Sequence, residues 1–494
     1  MTNTNVAPID GTQTISMLIN GERVQAASGA VFERRNPLDG TVATRAPAAT
    51  VDDARRAVDA AAAAFPAWAA IGPTERRALL MRAAQALEAK GEAFAAAMAA
   101  ETGASALWAG FNVHLAASGL QEAAAMVTQI AGEIIPSDVP GSLAMGVRQP
   151  AGVVLGIAPW NAPVILAVRA IALPLACGNT VVLKGSEVSP ATHGLIIEAL
   201  QEAGLPKGVV NFVTNAPADA GAVVEAMIAH PAVRRVNFTG STHVGRIIAQ
   251  TCATHLKPAV LELGGKAPLL VLADADIDAA VDGAAFGAFA NSGQICMSTE
   301  RIIVDETIAD AFVAKLAAKA ASLPLGDPRK GPAVLGSVVD MRTVERCNHL
   351  IDDALTKGAR LLCGGKADST LMPATLLDHV TPDMLIYAEE SFGPVKGIVR
   401  VSGDDAAVAC ANDNAYGLAS AVFSRDVARA MNVARRIESG ICHINGPTVH
   451  DEAQMPFGGV KASGFGRFGG RAGVAEFTEL RWMTVQTTPR HYPF

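Results

Sequence analysis

The pattern of apolar and polar positions predicts helices in the N-terminal part of the chain. Between residues 50 and 130, Leu, Met, Phe and Trp recur at helical spacing within an alanine-rich background. Thr50, followed three residues later by Asp53, resembles a capping box at a helix start. Pro73 is typical of the first turn of a second helix, which we expect to stop near Gly91.

From residue 152 onward, short β-branched runs alternate with helical segments. The predicted strands of a first sheet are Val153–Ile157, Thr180–Leu183, Val209–Val213, Arg235–Phe238 and Ala259–Leu261. Strands separated by helical segments of this length indicate βαβ units and a parallel sheet. A second α/β region, from Pro268 to about Asn445, is predicted to contain strands Leu269–Leu272, Arg301–Val304, Lys396–Val401 and Ile441–Ile444 and a helix over Asp276–Ala290.

The C-terminal segment, residues 477–494, is apolar and aromatic and has no helical pattern. An extended segment of this kind is more easily explained by pairing with another subunit than by solvation. A chain of 494 residues is long enough for two or three domains. We therefore predict a multidomain subunit that assembles into a homodimer or homotetramer.

Composition excludes several classes of protein. A net charge of −7 gives no electrostatic footprint for nucleic acid. The longest apolar stretch, Pro163–Cys177, contains Arg169 and Pro174 and is shorter than the ~20 residues that a membrane-spanning helix needs. The N-terminus lacks the pattern of a signal peptide. Seven cysteines without a C-x-x-C pair argue against a disulfide framework or a zinc site, and favour the cytoplasm.

Cys296 is the strongest candidate for a reactive side chain. It lies in Asn291–Ser298, which we interpret as an accessible loop, with Gly293 giving backbone freedom and Gln294 and Ser298 keeping the surroundings polar. Free cysteines are more often small buried hydrophobic residues. That interpretation is preferred for Cys177, Cys252, Cys347, Cys363, Cys410 and Cys442.

Two polar residues at predicted strand ends suit the chemistry of a reactive thiol. Asn161 follows the first strand of the parallel sheet, where its amide could bind a developing oxyanion, or simply cap the helix that begins at Pro163. Glu262 closes the last strand and precedes two glycines, which suits a mobile general base. A single glutamate is more commonly a solvated charge or part of a salt bridge.

Two segments are candidates for binding a cofactor. Phe238–Gly245 leads from a strand into a helix through a glycine, a turn that presents amides to a pyrophosphate. Glu389–Pro394 could bind a ribose and cover a planar ring, or form a turn. The one G-x-G-x-x-G motif, Gly464–Gly469, neither follows a predicted strand nor opens a βαβ unit, so we do not expect it to bind a dinucleotide.

These segments, together with Leu183–Glu187 and Pro456–Gly459, resemble the signature motifs of the aldehyde dehydrogenase superfamily, in the same order along the chain. The resemblance implies an α/β fold with a Rossmann-like NAD domain, an α/β catalytic domain and a small β oligomerisation extension. The implied ranges are 1–130 and 151–262 for the NAD domain, 263–456 for the catalytic domain, and 131–150 and 477–494 for oligomerisation.

The resemblance also implies a mechanism. Cys296 would attack the aldehyde, and the Asn161 amide and the Cys296 backbone N–H would hold the oxyanion of the thiohemiacetal. Loss of hydride would give a thioester, and Glu262 would activate the water that hydrolyses it. Glu479 would match a further carboxylate that assists proton relay.

The cofactor implied by the resemblance is NAD, and no metal is expected. A carboxylate near the ribose hydroxyls, here Glu187, would disfavour NADP. Two departures from the family pattern are Gly185, where proline is common, and Ser391, where an aliphatic residue is common. The implied cofactor-binding residues are Ile157, Pro159, Trp160, Lys184, Ser186, Glu187, Gly221, Phe238, Gly240, Ser241, Val244, Leu263, Glu390 and Phe392.

Two stretches, Gly440–Gly459 and Arg490–Phe494, are most similar to the branch of the superfamily that acts on salicylaldehyde, benzaldehyde and vanillin. Ala162 leaves room for a ring beside Asn161. The predicted apolar walls of the substrate site are Trp108, Ile295, Met297 and Phe457.

Arg169 lies eight residues past Asn161, and we assume that both lie on one helix, hence roughly on the same face. On that assumption Arg169 could donate a hydrogen bond to a phenolic oxygen, or form an intersubunit ion pair. The alternative functions are oxidation of aliphatic aldehydes or semialdehydes, and a thiol hydrolase or acyltransferase. A thiol hydrolase would want a histidine partner, for which His443 is the only candidate near a motif.

Overall fold

The computed structural model describes residues 12–494. Its strands are β1 Gln13–Thr14, β2 Met17–Ile19, β3 Glu22–Val24, β4 Val31–Arg35, β5 Val42–Pro47, β6 Glu133–Ile135, β7 Ser142–Pro150, β8 Val153–Ile157, β9 Thr180–Lys184, β10 Val210–Val213, β11 Val233–Thr239, β12 Ala259–Glu262, β13 Ala267–Val271, β14 Thr299–Asp305, β15 Arg360–Cys363, β16 Thr375–Asp378, β17 Val395–Val401, β18 Tyr416–Gly417, β19 Ala419–Phe423, β20 Ile441–Ile444, β21 Val460–Lys461, β22 Gly464–Phe465 and β23 Thr478–Gln486.

The helices alternate with these strands through most of the chain. They are α1 Val51–Ala70, α2 Pro73–Glu88, α3 Gly91–Thr102, α4 Ala106–Met126, α5 Pro163–Ala176, α6 Pro190–Glu202, α7 Ala220–Ala229, α8 Thr242–Thr254, α9 Ile277–Phe289, α10 Glu306–Ala321, α11 Met341–Thr356, α12 Leu385–Ala388, α13 Gly403–Asn412, α14 Val427–Ala434 and α15 Gly470–Glu476. No helix of residues 12–494 combines the length and apolarity that crossing a membrane requires.

Helix starts follow the signals in the sequence. The predicted capping box is confirmed, because the Thr50 hydroxyl accepts a hydrogen bond from the Asp53 N–H and the Asp53 carboxylate accepts one from the Thr50 N–H. Pro73 occupies the first turn of α2, as Pro163 does in α5.

The first sheet has eight strands in the order β22-β12-β11-β8-β9-β10-β2-β3. Strands β8 to β12 are parallel to their neighbours within that group, as predicted. Helices α1, α7 and α8 pack on one face, and α5 and α6, backed by α2 to α4, pack on the other. Both faces of the central strands are therefore buried, which explains the uninterrupted apolar runs of β8 and β9.

The second sheet has seven strands in the order β15-β16-β17-β14-β13-β19-β20. All strands predicted for this region are present, and β13, β14, β17, β19 and β20 pair in parallel. Helices α9 and α10 pack on one face. Helices α11, α13 and α14 cover the other.

A third sheet, β23-β7-β6, is antiparallel, and β7 and β23 pair over nine residues each. The predicted extended tail is therefore a strand between Thr478 and Gln486. Sequence patterns missed the N-terminal strands, of which β2 and β3 add an antiparallel edge to the first sheet.

The carboxyl ends of strands in the first sheet and the segments that lead into the second sheet line one cavity. In the first sheet, the carboxyl ends of neighbouring strands lie in register, with Ile157 opposite Lys184 and Thr239 opposite Glu262. The chain leaves β8 towards β9 on one side and later returns to β11 on the other side, which makes a topological switch point. Strand β13 begins five residues after Glu262, so the amino edge of the second sheet faces this crevice.

Candidate active site

A cavity of about 800 Å³ occupies the crevice between the two large sheets. Its size suits a cofactor or a drug-sized ligand. Asn161, Glu262 and Cys296, the three residues with the strongest chemical signal in the sequence, all line it. The rest of the lining is Pro159, Trp160, Thr239, Gly240, Ser241, Leu263, Gly264, Val339, Asp340, Arg342, Thr343, Arg346, Ala388, Glu389, Glu390, Phe392, Ala415 and Tyr416.

The loop before Cys296 has an unusual backbone. Asn291 and Ser292 adopt left-handed conformations, with φ of 48° and 55°, and Gly293 follows with φ of 73°. A Cβ atom at Gly293 would lie 2.2 Å from the Gly393 carbonyl oxygen, so the loop touches the segment that carries Glu390. Glycine is needed here both for its conformation and for this close approach.

Side chains of the same loop hold it in place. Gln294 accepts a hydrogen bond from the Val339 N–H (2.9 Å) and donates to the Asn291 carbonyl (3.2 Å). The Ser298 hydroxyl donates to the Gly287 carbonyl (3.0 Å). Both side chains are buried, so they brace the loop and do not supply the polar surroundings that the sequence suggested.

The environment of Cys296 differs from the predicted accessible loop. Its side chain is half-buried and packs against the main apolar cluster of the first sheet. Burial raises the pKa of the Cys296 thiol well above its usual range, and the neighbouring Glu262 carboxylate raises it further. Apolar packing and a nearby negative charge therefore both favour the neutral thiol in the resting site.

Glu262 ends β12 and is almost completely buried. Neither of its carboxylate oxygens has a hydrogen-bond partner among residues 12–494 that meets ordinary geometric limits. Burial raises the pKa of Glu262 to about 7, while Cys296 and Arg169 act in the lowering direction and Asp451 adds to the rise. A buried carboxylate with a pKa near neutrality is suited to general base catalysis.

The two glycines after Glu262 serve close packing, a role that the sequence did not indicate. A Cβ atom at Gly265 would lie 2.5 Å from the Cys296 carbonyl oxygen. The Gly265 N–H donates to Glu390 Oε1 at 2.9 Å. A Cβ atom at Gly264 would lie 2.8 Å from Glu390 Oε2. Burial raises the pKa of Glu390 to about 7 as well, and the Gly265 N–H lowers it.

Asn161 lies in the loop between β8 and α5, and its amide points to the thiol loop. Its Nδ2 donates to the Gln294 carbonyl (3.0 Å). The backbone carbonyl of Asn161 accepts from Trp108 Nε1 (2.9 Å) and Asn291 Nδ2 (3.0 Å). Asn161 does not cap α5, whose N-cap residue is Ala162 without a side-chain cap bond.

This placement corrects the argument for Arg169. Asn161 and Arg169 do not share a helix, because α5 begins at Pro163. Arg169 forms an ion pair with Asp451 of the same chain, and its guanidinium lies 4.2 Å from the centre of the Phe457 ring. The second oxygen of Asp451 is buried and has no hydrogen-bond partner within the described part of the chain.

Trp108, Ala162, Ile295, Met297 and Phe457, the other predicted substrate residues, are all buried. The Trp108 indole is bound to the Asn161 carbonyl and stacks on Phe111. The Phe457 ring packs against the Arg169 guanidinium. The charge of Arg169 acts to lower the pKa of both Cys296 and Glu262.

The predicted cofactor residues fall into two groups. Those that line the cavity are Pro159, Trp160, Gly240, Ser241, Leu263, Glu390 and Phe392. Phe392 has a left-handed backbone (φ 42°), and its ring lies edge-on to Trp160 at 5.9 Å. The Ser241 hydroxyl caps α8 by accepting from the Val244 N–H (3.3 Å).

The second group lies outside the lining, on or beyond the same strand ends. Glu187 forms an ion pair with Lys184 and accepts a hydrogen bond from Asn215 Nδ2 (2.8 Å). Burial acts to raise the pKa of Glu187, but Lys184 and Asn215 bring it below its usual value. The other members of this group are Ile157, Ser186, Gly221, Phe238 and Val244.

Comparison with known proteins agrees with this geometry. A sequence model of the aldehyde dehydrogenase family matches residues 24–483 of the chain. The chain belongs to the aldehyde dehydrogenase family.

Two curated relatives cover 97% of this chain, each over 99% of its own length. This chain is 63% identical over 479 residues to a vanillin dehydrogenase from Pseudomonas fluorescens. It is 53% identical over 479 residues to a salicylaldehyde dehydrogenase from Pseudomonas putida.

The crystal structure of a salicylaldehyde dehydrogenase from Pseudomonas putida G7, complexed with salicylaldehyde, matches this chain with a TM-score of 0.96. The match covers 98% of this chain and 100% of that one, at 52% identity. The predicted α/β fold of an aldehyde dehydrogenase is thereby confirmed.

Three residues singled out in the sequence are not among those that line the cavity of this aldehyde dehydrogenase. Glu479 lies on β23, where it pairs with Arg235 at 2.8 Å and is partly exposed, so its predicted part in proton relay has no geometric support. His443 lies on β20 against the His450 ring, and it does not line the cavity. Gly464 belongs to the edge strand β22, antiparallel to β12.

Sequence patterns missed two groups of residues near the aldehyde dehydrogenase site. One is Asp451, for which a single acidic residue in a loop gives no signal. The other is a buried cluster of Lys266, Glu300 and Lys396, in which Glu300 lies 2.9 Å and 2.6 Å from the two ammonium groups. The sequence signal that could have indicated this cluster is the presence of charged residues at the starts of apolar strands. No group of three or more His, Cys, Asp and Glu side chains within residues 12–494 could hold a metal ion.

Proposed function

We propose that this enzyme oxidises an aromatic aldehyde to the carboxylic acid with NAD. The observation that carries the proposal is the placement of Cys296, Glu262 and Asn161 around one cavity at the switch point of a nucleotide-binding type of sheet. A nucleophile, a base and an oxyanion donor that converge in this way suit acyl chemistry on a covalent thioester.

In the proposed reaction, Cys296 attacks the aldehyde carbon. The resting thiol first loses its proton, and Glu262 is the group placed to accept it because its carboxylate is adjacent and otherwise unpartnered. The Asn161 amide and the Cys296 backbone N–H then stabilise the oxyanion of the thiohemiacetal. Only one proton of the Asn161 amide is needed for Gln294, so the other is available for substrate.

Glu262 has a second role in the hydrolysis of the thioester, after the proton that it took from the thiol has passed to water in the cavity. A carboxylate with a pKa near 7 accepts a proton from water more readily than an ordinary glutamate does. Since the Glu262 side chain is enclosed, its base function depends on water that enters the cavity. Glu479 lies outside the cavity, so it has no place in this proposed sequence.

The residues around the crevice fit a dinucleotide. NAD, when bound, supplies the two-electron acceptor for the hydrogen on the aldehyde carbon. The first amides of α8 are proposed to bind the pyrophosphate, and Glu390 and Phe392 the nicotinamide ribose. Lys184, Ser186 and Glu187, at and just beyond the end of β9, are proposed to bind the adenosine ribose. Glu187 favours NAD because its carboxylate repels a 2′-phosphate, although its ion pair with Lys184 weakens that repulsion.

The proposed substrate is an aromatic aldehyde with an oxygen substituent. The buried pocket walls are apolar and aromatic, and the Arg169–Asp451 pair adds both a donor and an unpartnered acceptor oxygen beside Phe457. A phenolic hydroxyl can accept from the guanidinium or donate to Asp451. The relatives named vanillin and salicylaldehyde dehydrogenase act on aldehydes of this type.

The experiment that tests the proposal is a panel of aldehydes, with the appearance of NADH followed at 340 nm. We expect kcat/KM for vanillin and salicylaldehyde to exceed that for aliphatic aldehydes and semialdehydes by at least tenfold, and NAD to be preferred over NADP. Cys296→Ala is the matched control, and it should bind NADH but oxidise none of the aldehydes. Preference for a semialdehyde would contradict the aromatic assignment, and dinucleotide-independent thioester hydrolysis would favour a thiol hydrolase.

The surroundings of the enzyme are also proposals. All seven cysteines are free, which suits a reducing compartment such as the cytoplasm. The exposed apolar third sheet suits assembly into a homodimer or homotetramer. We propose the domain ranges 1–130 and 151–262 for the NAD domain, 263–456 for the catalytic domain, and 131–150 and 477–494 for oligomerisation.

A further inference from the structure

Three segments of the site enter the second sheet at its amino edge. The segment with Glu262 leads into β13, the thiol loop leads into β14, and the segment with Glu390 leads into β17. These strands are neighbours in the order β17-β14-β13. The starts of the three strands carry charged residues, which are Lys266, Glu300 and Lys396.

The three side chains form one buried cluster. Glu300 accepts hydrogen bonds from Lys266 Nζ (2.9 Å) and Lys396 Nζ (2.6 Å), and all three side chains are at most 2% exposed. Burial acts to raise the pKa of Glu300, but the two ammonium groups lower it to about 2. Removing one partner from such a cluster leaves an uncompensated buried charge.

The cluster is bonded to the loop that carries Glu390 and Phe392. Glu300 accepts from the Ser391 N–H (2.8 Å) and from the Ser391 hydroxyl (2.6 Å), and Lys266 Nζ donates to the Glu389 carbonyl (2.6 Å). Glu300 therefore fixes the residue between Glu390 and Phe392. This also explains Ser391, since an aliphatic side chain at this position would leave a Glu300 oxygen with one bond fewer.

We propose that Glu300 is a positioning residue for the dinucleotide. Glu300 acts through Ser391 to hold Glu390 and Phe392 against the nicotinamide ribose. The left-handed backbone of Phe392 supports the need for such a clamp, because an aromatic residue adopts that conformation only when its surroundings impose it. The proposal rests on the proposed use of NAD. It assigns no chemical step to Glu300, whose carboxylate is enclosed by lysines.

The test is the affinity for NADH without aldehyde, measured by fluorescence titration. Ser391→Ala should raise the Kd for NADH by about 5- to 20-fold, since a hydrogen bond to a charged group that orders the ribose contact is lost. ADP lacks the second ribose, so its Kd should stay within about twofold of that of the wild type. The control Ser420→Ala removes a buried hydroxyl bonded to Ser439 and Ile441 elsewhere in the second sheet, and it should leave both affinities unchanged.

A second variant tests Glu300 itself. Glu300→Gln combined with Lys396→Met removes one charge of each sign, so the fold should survive where a single charge deletion endangers it. We expect this variant to weaken NADH binding at least as much as Ser391→Ala does, with KM for NAD raised and KM for the aldehyde little changed.

Three outcomes would overturn the positioning role: wild-type affinity for NADH in either variant, equal weakening of NADH and ADP, or equal losses in Ser420→Ala. Failure of the proposed function looks different. If the wild type binds NADPH but not NADH, the choice of NAD is wrong and the same titrations decide the positioning role with NADPH. If the wild type binds neither dinucleotide, both proposals fail.

Discussion

Cys296 and Glu262 show how burial sets the protonation of the resting site. The thiol is neutral because it is half-buried beside a carboxylate, and the carboxylate has a pKa of about 7 because it is enclosed. The base form of Glu262 is the deprotonated form, so its population increases as the pH rises through 7. We therefore expect turnover that is limited by thioester hydrolysis to increase between about pH 6 and pH 8 and then to level off.

The variant Glu262→Gln tests this assignment. Without the base, loss of the thiol proton should be slower, but hydrolysis of the thioester should be slower still, giving a burst of about one NADH per active subunit before slow turnover. The rise of turnover near pH 7 should also disappear. Stopped-flow absorbance at 340 nm measures both. Because Glu390 titrates in the same range, a pH dependence that persists in Glu262→Gln would assign it to Glu390. A slow trace without a burst would show that loss of the thiol proton, and not hydrolysis of the thioester, is the step that depends most on Glu262.

Arg169 and Asp451 should act in opposite directions on the same base. Arg169 lowers the pKa of Glu262 and Asp451 raises it. Arg169→Leu should therefore move the rise in turnover to higher pH, and Asp451→Asn should move it to lower pH. Arg169→Leu should also reduce kcat/KM for salicylaldehyde by about 10- to 100-fold more than for benzaldehyde, which has no phenolic oxygen. Equal losses on both aldehydes would show that Arg169 only supports the pocket.

Residue identity was easier to predict from the sequence than residue environment. Motif order predicted Cys296, Glu262 and Asn161, because reacting groups recur in short signatures at strand ends. Burial, partners and charge depend on distant parts of the chain. The Arg169–Asp451 pair joins residues 282 apart, and Glu479 pairs with Arg235 on another sheet. A linear pattern does not report such contacts.

At the scale of elements, the thiol loop depends on Gly293. Gly293→Ala would place a Cβ atom in a left-handed conformation, at a cost of about 1–3 kcal/mol, and press it against the Gly393 carbonyl. We expect a lower free energy of unfolding and at least tenfold lower kcat, since the thiol loop and the Glu390 segment would separate. Urea denaturation and steady-state kinetics measure these effects.

The matched control is Gly40→Ala. Gly40 has φ of 72°, but no atom lies within 4 Å of the position that a Cβ would take, so this change carries the backbone cost without a steric contact. It should lower stability modestly and leave kcat unchanged. A similar effect of both substitutions on kcat would mean that the approach of Gly293 to Gly393 is not important for catalysis.

Strands of the parallel sheets were predictable because both of their faces are buried. Val153–Ile157 and Ile441–Ile444 match the structure at both ends, and β11 extends the predicted Arg235–Phe238 to Val233–Thr239. The N-terminal strands β1 to β5 were not predicted. They are short, pair with distant partners and include many exposed residues, so they lack the apolar runs that mark buried strands.

At the scale of the whole molecule, the third sheet is incompletely covered within one chain. Strand β23 is exposed along most of its length and lies at the edge of the sheet. Three strands with so little packing are not stable in isolation. Trp482 is 79% exposed, Ile134 77% and Leu480 61%, which is typical of a surface that another subunit buries.

We therefore expect Trp482→Asp to dissociate the oligomer. A carboxylate in the middle of an apolar interface leaves a buried charge without a partner, which outweighs the contribution of the surrounding contacts. Light scattering coupled to size-exclusion chromatography should show a dimer or tetramer for the wild type and a smaller species for the variant. Val427→Asp is the control, because Val427 is 57% exposed at the start of α14, outside the third sheet. It should keep the wild-type mass. An unchanged mass for Trp482→Asp, or a monomeric wild type, would show that the third sheet is not the assembly surface.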